Sequence, residues 1–176
     1  METRKGDLDM TKSEENLRAA FAGESQANRR YLAFAMRADR EGYPQIARLF
    51  RAVAEAETVH ALNHLKVLKQ ILSTRENLQS AIDGETHEFK KMYPAMIEAA
   101  QAEGQEEAEQ TFQWANEVEK VHALLYQSML DHLEQAKGAA SYSYYVCPLC
   151  GLTVEKEPPE ACSVCGTKGK AFKKVD

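Results

Sequence analysis

The first 146 residues of this 176-residue chain contain no cysteine, which excludes a disulfide framework running through the molecule. All four cysteines lie between positions 147 and 165 and belong to one local device. A long uncharged apolar run is also missing, so no stretch meets the requirement for a membrane helix. Basic charge is short: the net charge is −5, which argues against nucleic acid as a partner because phosphate contacts need a basic face. Met1 to Met10 alternate in charge and lack the apolar core of a secretion signal, so the expected location is the cytoplasm. What remains is an ordinary soluble balance, 44% hydrophobic and 28% charged, with enough length for one sizeable domain and a small appendage.

Four long segments read as helices. The first opens at the capping box Thr11-Lys-Ser-Glu14 and ends near Glu41-Gly42. The second runs from about Pro44, suited to a first turn, to about Leu72. The third follows a second capping box, Ser73-Thr-Arg-Glu76, and ends around Glu103-Gly104. The fourth runs from about Gln105 to Lys137-Gly138. Each is expected to exceed ~25 residues, or roughly 40 Å at the helical rise. Short connections between such helices favour antiparallel neighbours in an all-α four-helix bundle over residues 1–138, followed by a small module over residues 139–176.

Apolar stripes recur at steps of three and four. They read Leu17, Ala20, Glu24, Ala27, Tyr31, Phe34, Ala38 in the first helix and Ile46, Phe50, Val53, Glu57, His60, His64, Val67, Ile71 in the second. The third gives Leu78, Ala81, Glu85, Glu88, Met92, Ala95, Ala99, and the fourth Ala108, Phe112, Ala115, Glu119, His122, Tyr126, Met129, Leu133. Each stripe turns polar only near its middle. The chain also repeats: Glu57-Thr-Val-His60-Ala-Leu matches Glu119-Lys-Val-His122-Ala-Leu at an offset of 62 residues, as do Glu41-Gly42 with Glu103-Gly104 and Phe50 with Phe112. Gly23-Glu24 pairs with Gly84-Glu85 at an offset of 61. Two halves therefore each supply one Glu and one Glu-x-x-His.

A lone Glu-x-x-His is usually a solvated helix pair, and two such pairs among five histidines arise by chance roughly one time in ten. These pairs, however, interrupt apolar stripes that carry no lysine or arginine to neutralise them. Glu24, Glu57, Glu85, Glu88 and Glu119, with His60 and His122, would be very costly in a core without bound cations. One Glu from each of two helices and Glu-x-x-His from the other two is the carboxylate di-metal pattern of helical bundles. Residues at i and i+3 share a face, and mixed carboxylate and imidazole donors suit iron or manganese. The mid-helix glycines Gly23 and Gly84 serve either close packing or the geometry beside Glu24 and Glu85. Glu88 has only Ala27 as counterpart, so the pocket holds one carboxylate more than the repeat needs. His64 reads as a core or supporting residue, His87 as solvent-edge and His132 as surface.

Cys147-Pro-Leu-Cys150-Gly151 and Cys162-Ser-Val-Cys165-Gly166 are two C-x-x-C-G knuckles, which place four thiolates on one ion. Tetrahedral sulfur suits zinc and iron alike; in isolation the module reads as a structural zinc ribbon. A segment this short has no core of its own, so the metal folds it.

With both motifs in hand, the chain resembles the rubrerythrin family from about Thr11 to the C-terminus. The resemblance is carried by Ala22-Gly-Glu24, Glu57-Thr-Val-His60, Gly84-Glu85-Thr-His-Glu88, Met92-Tyr-Pro94, Glu119-Lys-Val-His122 and the two knuckles in that order. It implies a ferritin-like di-iron bundle with a rubredoxin-like C-terminal domain. Glu57 and Glu119 would bridge two irons, Glu24 would be terminal on one, and Glu85 and His122 on the other. One iron would shift between Glu88 and His60 with redox state, and Tyr31 and Tyr93 would hydrogen-bond near the metals. The four cysteines would hold a third, redox-active iron, with zinc as a substitute. The second knuckle departs from the family in carrying Ser163 where proline is frequent.

The implied function is a peroxidase that reduces hydrogen peroxide to water in oxidative-stress defence. Its electrons would come from a rubredoxin-type carrier and an NAD(P)H-dependent reductase. Head-to-tail homodimers, or a higher homo-oligomer, would set one subunit's four-cysteine iron beside the other's di-iron pair. Two rivals remain: a ferroxidase that handles iron, and an electron carrier whose bundle metals are structural. The fused four-cysteine module weighs against the first and the surplus Glu88 against the second. The link between the second and third helices is short, although the ferritin pattern places a long crossover there.

Overall fold

The computed structural model describes residues 10–176. The reading of the N-terminus as lacking a secretion signal falls largely on residues outside that range. Among the described residues six α-helices precede a small sheet: α1 (Lys12–Arg40), α2 (Pro44–Val67), α3 (Thr74–His87), α4 (Tyr93–Ala102), α5 (Glu106–Asp131) and α6 (Leu133–Ala136), then β1 (Tyr144–Val146), β2 (Thr153–Glu155) and β3 (Lys173–Val175). The chain divides into two compact units at the boundary between Leu72 and Ser73. Among the described residues no helix is long and apolar enough to cross a membrane.

The first unit is a hairpin of α1 and α2. Its start is fixed by the expected capping box: Thr11 N–H donates to Glu14 Oε2 at 2.9 Å, and Glu14 N–H donates to Thr11 Oγ1 at 3.2 Å. The seam between the helices is alanine. Ala27, Ala35 and Ala38 on α1 and Ala47, Ala54 and Ala61 on α2 are buried. Small side chains let the two backbones approach closely. Asn28 fastens the seam, its Nδ2 donating to Ala54 O at 2.7 Å and Thr58 Oγ1 at 2.9 Å. Larger members of the expected stripes, Phe34, Ile46 and Val67, lie on the surface of this hairpin. Helix α2 ends earlier than expected, at Val67. Lys69 turns left-handed (φ 53°) and Gln70 N–H bonds back to Leu65 O at 3.1 Å, a closing pattern that stops the helix.

In the second unit the third expected helix is continuous in path but not in kind. The Ser73 and Glu76 capping box starts α3, and a five-residue π turn over Glu88–Met92 separates it from α4. Pro94 stands in the first turn of α4, where a missing N–H costs nothing. The fourth helix, α5, ends at Asp131 rather than near Lys137. At His132 the Ser128 carbonyl accepts from the backbone N–H and meets the ring Nδ1, and only the single turn of α6 follows.

The C-terminal module is a three-stranded antiparallel sheet in the order β2-β1-β3. Its two knuckle turns carry Gly151 (φ 86°) and Gly166 (φ 75°), a region that strains any residue with a Cβ. The core consists of Cys147, Leu152, Cys162 and Phe172 closed by Val118 from α5, which is 2% exposed. Gly169 is packed so tightly that a Cβ there would come within 1.7 Å of the Pro159 carbonyl oxygen. A Gly169→Ala chain is therefore expected to bind metal at the cysteines with the module's strands disordered, as read by loss of amide-exchange protection in β1.

Candidate metal centres

Each unit carries one carboxylate–imidazole triad. In the hairpin, α1 supplies Glu24, and α2 supplies Glu57 and His60 one turn apart. One ligand atom from each lies within 4.8 Å of the others. His60 Nδ1 stands 2.9 Å from Glu57 Oε2 and 3.9 Å from Glu24 Oε1. The imidazole is exposed, whereas the Glu57 carboxylate is largely covered. Thr58, held by Asn28, fixes the turn of α2 on which Glu57 stands.

The second triad is Glu85 from α3 with Glu119 and His122 from α5, again within 4.8 Å. His122 Nδ1 approaches Glu119 Oε2 to 2.6 Å, and both side chains are largely buried. Burial, then the negative charge of Glu119, pushes the Glu85 carboxyl up to about 6. Burial and Glu119 also raise Glu88, which lies outside the 4.8 Å cluster but within its field. Tyr93 is raised by burial and then by Glu88, Glu119 and Glu85, so its hydroxyl feels all three carboxylates. Its ring packs on Phe112 at 6.3 Å, and that of Tyr31 packs on Phe50 at 6.1 Å.

The donor set fits divalent or trivalent cations. Crowded carboxylates, two of them raised by mutual repulsion and burial, are what a cation would relieve. The sign of the pH effect follows. A folded-state value above the ordinary 4.5 means that Glu85 stabilises the metal-free fold only while protonated. Metal-free protein is therefore expected to lose thermal stability as pH rises from about 4.5 through about 6. Glu85→Gln should reduce that fall, with the raised Glu88 supplying the remainder, as read by circular dichroism melts across the range. Glu14 and Glu76, held low by their caps, act below this window.

The four cysteines form no disulfide. Cys147 and Cys165 sulfurs are 3.5 Å apart, and those of Cys150 and Cys162 are 3.4 Å apart. Metal–sulfur bonds of ~2.3 Å in a tetrahedron separate sulfurs by about 3.7 Å, so the cluster fits one ion with little adjustment. Burial raises the Cys150 thiol. At Cys165 burial pushes the same way, but the Thr167 hydroxyl and backbone outweigh it and bring the thiol down to about 6.

The structure thus places Glu24, Glu57 and His60 together, Glu85, Glu119 and His122 together, and the four cysteines together. His64 is half-buried on α2, while His87 and His132 are exposed. Sequence reasoning missed Thr153, whose hydroxyl lies 3.0 Å from His122 Nε2 across 31 residues of chain. No local signal marks it.

Residues 15–130 match the family model for rubrerythrin. Rubrerythrin-2 of Clostridium acetobutylicum is 43% identical over 170 residues, covering 89% of this chain and 92% of its own. Nigerythrin of Nitratidesulfovibrio vulgaris is 37% identical over 165 residues, covering 86% and 80%. The solved structure of fully reduced, all-ferrous nigerythrin superposes with a TM-score of 0.56 at 32% identity, covering 98% of this chain and 91% of that one. The fold class is a ferritin-like helical bundle with a small rubredoxin-like module. The chain belongs to the rubrerythrin family.

Proposed function

We propose that the chain is a peroxidase that reduces hydrogen peroxide to two waters, taking up two protons and two electrons, with the electrons entering through the four-cysteine centre. Rubrerythrins are oxidative-stress di-iron oxidoreductases, generally with peroxidase activity. The observation that carries the finer reading is the pair of carboxylate–imidazole triads in a chain whose four-thiol cluster packs on α5, the helix that bears Glu119 and His122.

Two iron ions bound by the triads would supply the electron pair that breaks the O–O bond, and a third on the cysteines would renew it. Glu24, Glu57 and His60 would hold iron in one triad and Glu85, Glu119 and His122 in the other, with Glu88 as a further candidate ligand. When Glu88 is not a ligand, its raised affinity for protons lets its carboxyl hold one of the two that the product waters need. Tyr93 and Tyr31 orient carboxylates through their hydroxyls. Residues 1–138 form the di-iron domain and 139–176 the four-cysteine domain. The chain works as a homodimer or higher homo-oligomer in the cytoplasm, fed by a rubredoxin-type carrier and its NAD(P)H-dependent reductase. The exposed Phe34, Ile46, Leu49 and Leu62 of the hairpin supply apolar surface for assembly.

The test is stopped-flow mixing of fully reduced, iron-loaded protein with hydrogen peroxide or dioxygen. Oxidation of the bundle iron should be at least ~10²-fold faster with peroxide. Equal rates, or a closed many-subunit cage that accumulates ferric mineral, would replace this reading with iron handling.

A further inference from the structure

The chain is acidic overall, with a net charge of −5, yet positions 166–175 hold four lysines and no acidic residue. Lys168 precedes the 3₁₀ turn Gly169–Ala171, Lys170 lies within it, and Lys173 and Lys174 open β3. All four are exposed. Lys174 is neutralised, its Nζ lying 2.6 Å from Asp176 Oδ1, which also accepts from Ser143 Oγ at 2.9 Å. Among the described residues no carboxylate pairs with Lys168, Lys170 or Lys173. We propose that these three lysines form the docking face for an acidic electron-carrying protein, beside Cys165 of the four-cysteine site.

The lysines stand close to a thiol that approaches the surface. Cys147 and Cys162 are buried, whereas Cys165 is only partly covered, as is Thr167 two residues on. The Thr167 hydroxyl lies 3.2 Å from Cys165 Sγ, and Lys168 follows it directly. Gly166 between them is exposed and left-handed (φ 75°), so no side chain shields the turn. Backbone bonds hold the segment in place. Gly166 N–H donates to Cys162 O at 2.9 Å, Cys162 N–H to Thr167 O at 2.7 Å, and Gly169 N–H to Glu160 O at 2.8 Å. The three charges therefore stand on a fixed backbone, and only their side chains need ordering when a partner arrives.

Lysines on an edge strand commonly serve to prevent strands of different molecules from pairing. That role covers Lys173 and Lys174, since β3 is an edge of the sheet. It does not cover Lys168 and Lys170, which lie before the strand; Lys168 makes only an isolated bridge to Ala161. Uncompensated positive charge beside a thiol cluster attracts an anionic partner and speeds encounter, by about 10–10³-fold. On the proposed peroxidase reading, that partner is the carrier that feeds the cysteine centre, and its own docking surface is rich in aspartate and glutamate. Nucleic acid fits less well, because the patch lacks arginine and the chain as a whole repels phosphate.

The experiment follows the thiolate-to-iron bands of the full, iron-loaded, oxidised chain during reduction by Fe(II)–EDTA, a dianion, or hexaammineruthenium(II), a dication. A molecule answering only to its net charge of −5 would repel the dianion, and that rate would rise with salt. The lysine face predicts the reverse, a rate that falls as ionic strength rises from about 0.01 M to about 0.15 M. With Lys168→Glu, Lys170→Glu and Lys173→Glu combined, the dianion should react about tenfold more slowly at low salt, and the dication no more slowly than before. The same bands check that the variant's module is folded. In a separate arm, the zinc-loaded chain is titrated with a rubredoxin of strongly negative charge. Amide shifts should appear over residues 166–175 and be lost in the triple variant. A dianion rate that rises with salt in the parent would overturn the proposal, as would shifts confined to other residues. A DNA duplex that moves the same amides at lower concentration would replace the carrier with nucleic acid. Altered sedimentation of the triple variant would make the face an interface between copies of the chain instead. Neither arm uses peroxide, so the docking face stands or fails apart from the substrate.

Discussion

Glu119→Ala protein reconstituted with ferrous iron should hold about one iron per chain, in place of about three, and should lose peroxide turnover by more than ~10²-fold. Glu119 is the residue on which the second triad converges. It accepts a hydrogen bond from the protonated Glu85 carboxyl, lies 2.6 Å from His122 Nδ1, and contributes to raising Glu85, Glu88 and Tyr93. Removing it should therefore also bring the Glu85 carboxyl back toward the ordinary range in the metal-free protein. The control is Glu117→Gln, two residues earlier and paired only with Lys120 on the surface, which should change neither iron content nor turnover. Iron analysis with a visible spectrum separates the two. Retention of about three irons by Glu119→Ala would remove this residue from the metal site.

Cys162→Ser should remove the ion from the cysteine site and unfold the sheet together. The residue is 4% exposed and belongs to the module's core, so the substitution takes away a ligand and leaves a polar group buried there. Small metal modules owe about 10–16 kcal/mol of apparent folding free energy to their ion, far more than three short strands can replace. Trp114 shares a cleft with Val121, Ser163 and Val164, and its fluorescence should shift to the red as that cleft opens. The reduced bundle should still react once with peroxide, while multiple turnovers stop. A variant that keeps catalysing many turnovers would mean that electrons enter elsewhere.

The triads, the capping boxes and the knuckles were legible because each depends on residues close in sequence. A carboxylate inside an apolar stripe announces itself, and so does a thiol pair followed by glycine. The seam of the hairpin was less legible. Ala35, Ala47, Ala54 and Ala61 are buried yet offer little hydrophobic contrast, so the stripe reading followed larger neighbours such as Phe34 and Ile46 that this seam leaves outside. The early ends of α2 and α5 escaped for a different reason. Each is closed by backbone bonding at Lys69 or His132, residues with no terminator's signature. Thr153 could not be read at all, because its partner is set by how the module docks on α5.

The π turn over Glu88–Met92 accounts for an irregularity in the repeat. Glu24 and Glu85 correspond at 61 residues, but Tyr31 and Tyr93, like Phe50 and Phe112, correspond at 62. Both tyrosines stack on the matching phenylalanine at nearly the same distance, so the second hairpin regains the register of the first by Tyr93. One additional residue therefore entered between Glu85 and Tyr93, and the wide turn is how the helix absorbs it without breaking. The two halves read as copies of one ancestral hairpin, and the insertion lies beside Glu88, the carboxylate that only one copy owns.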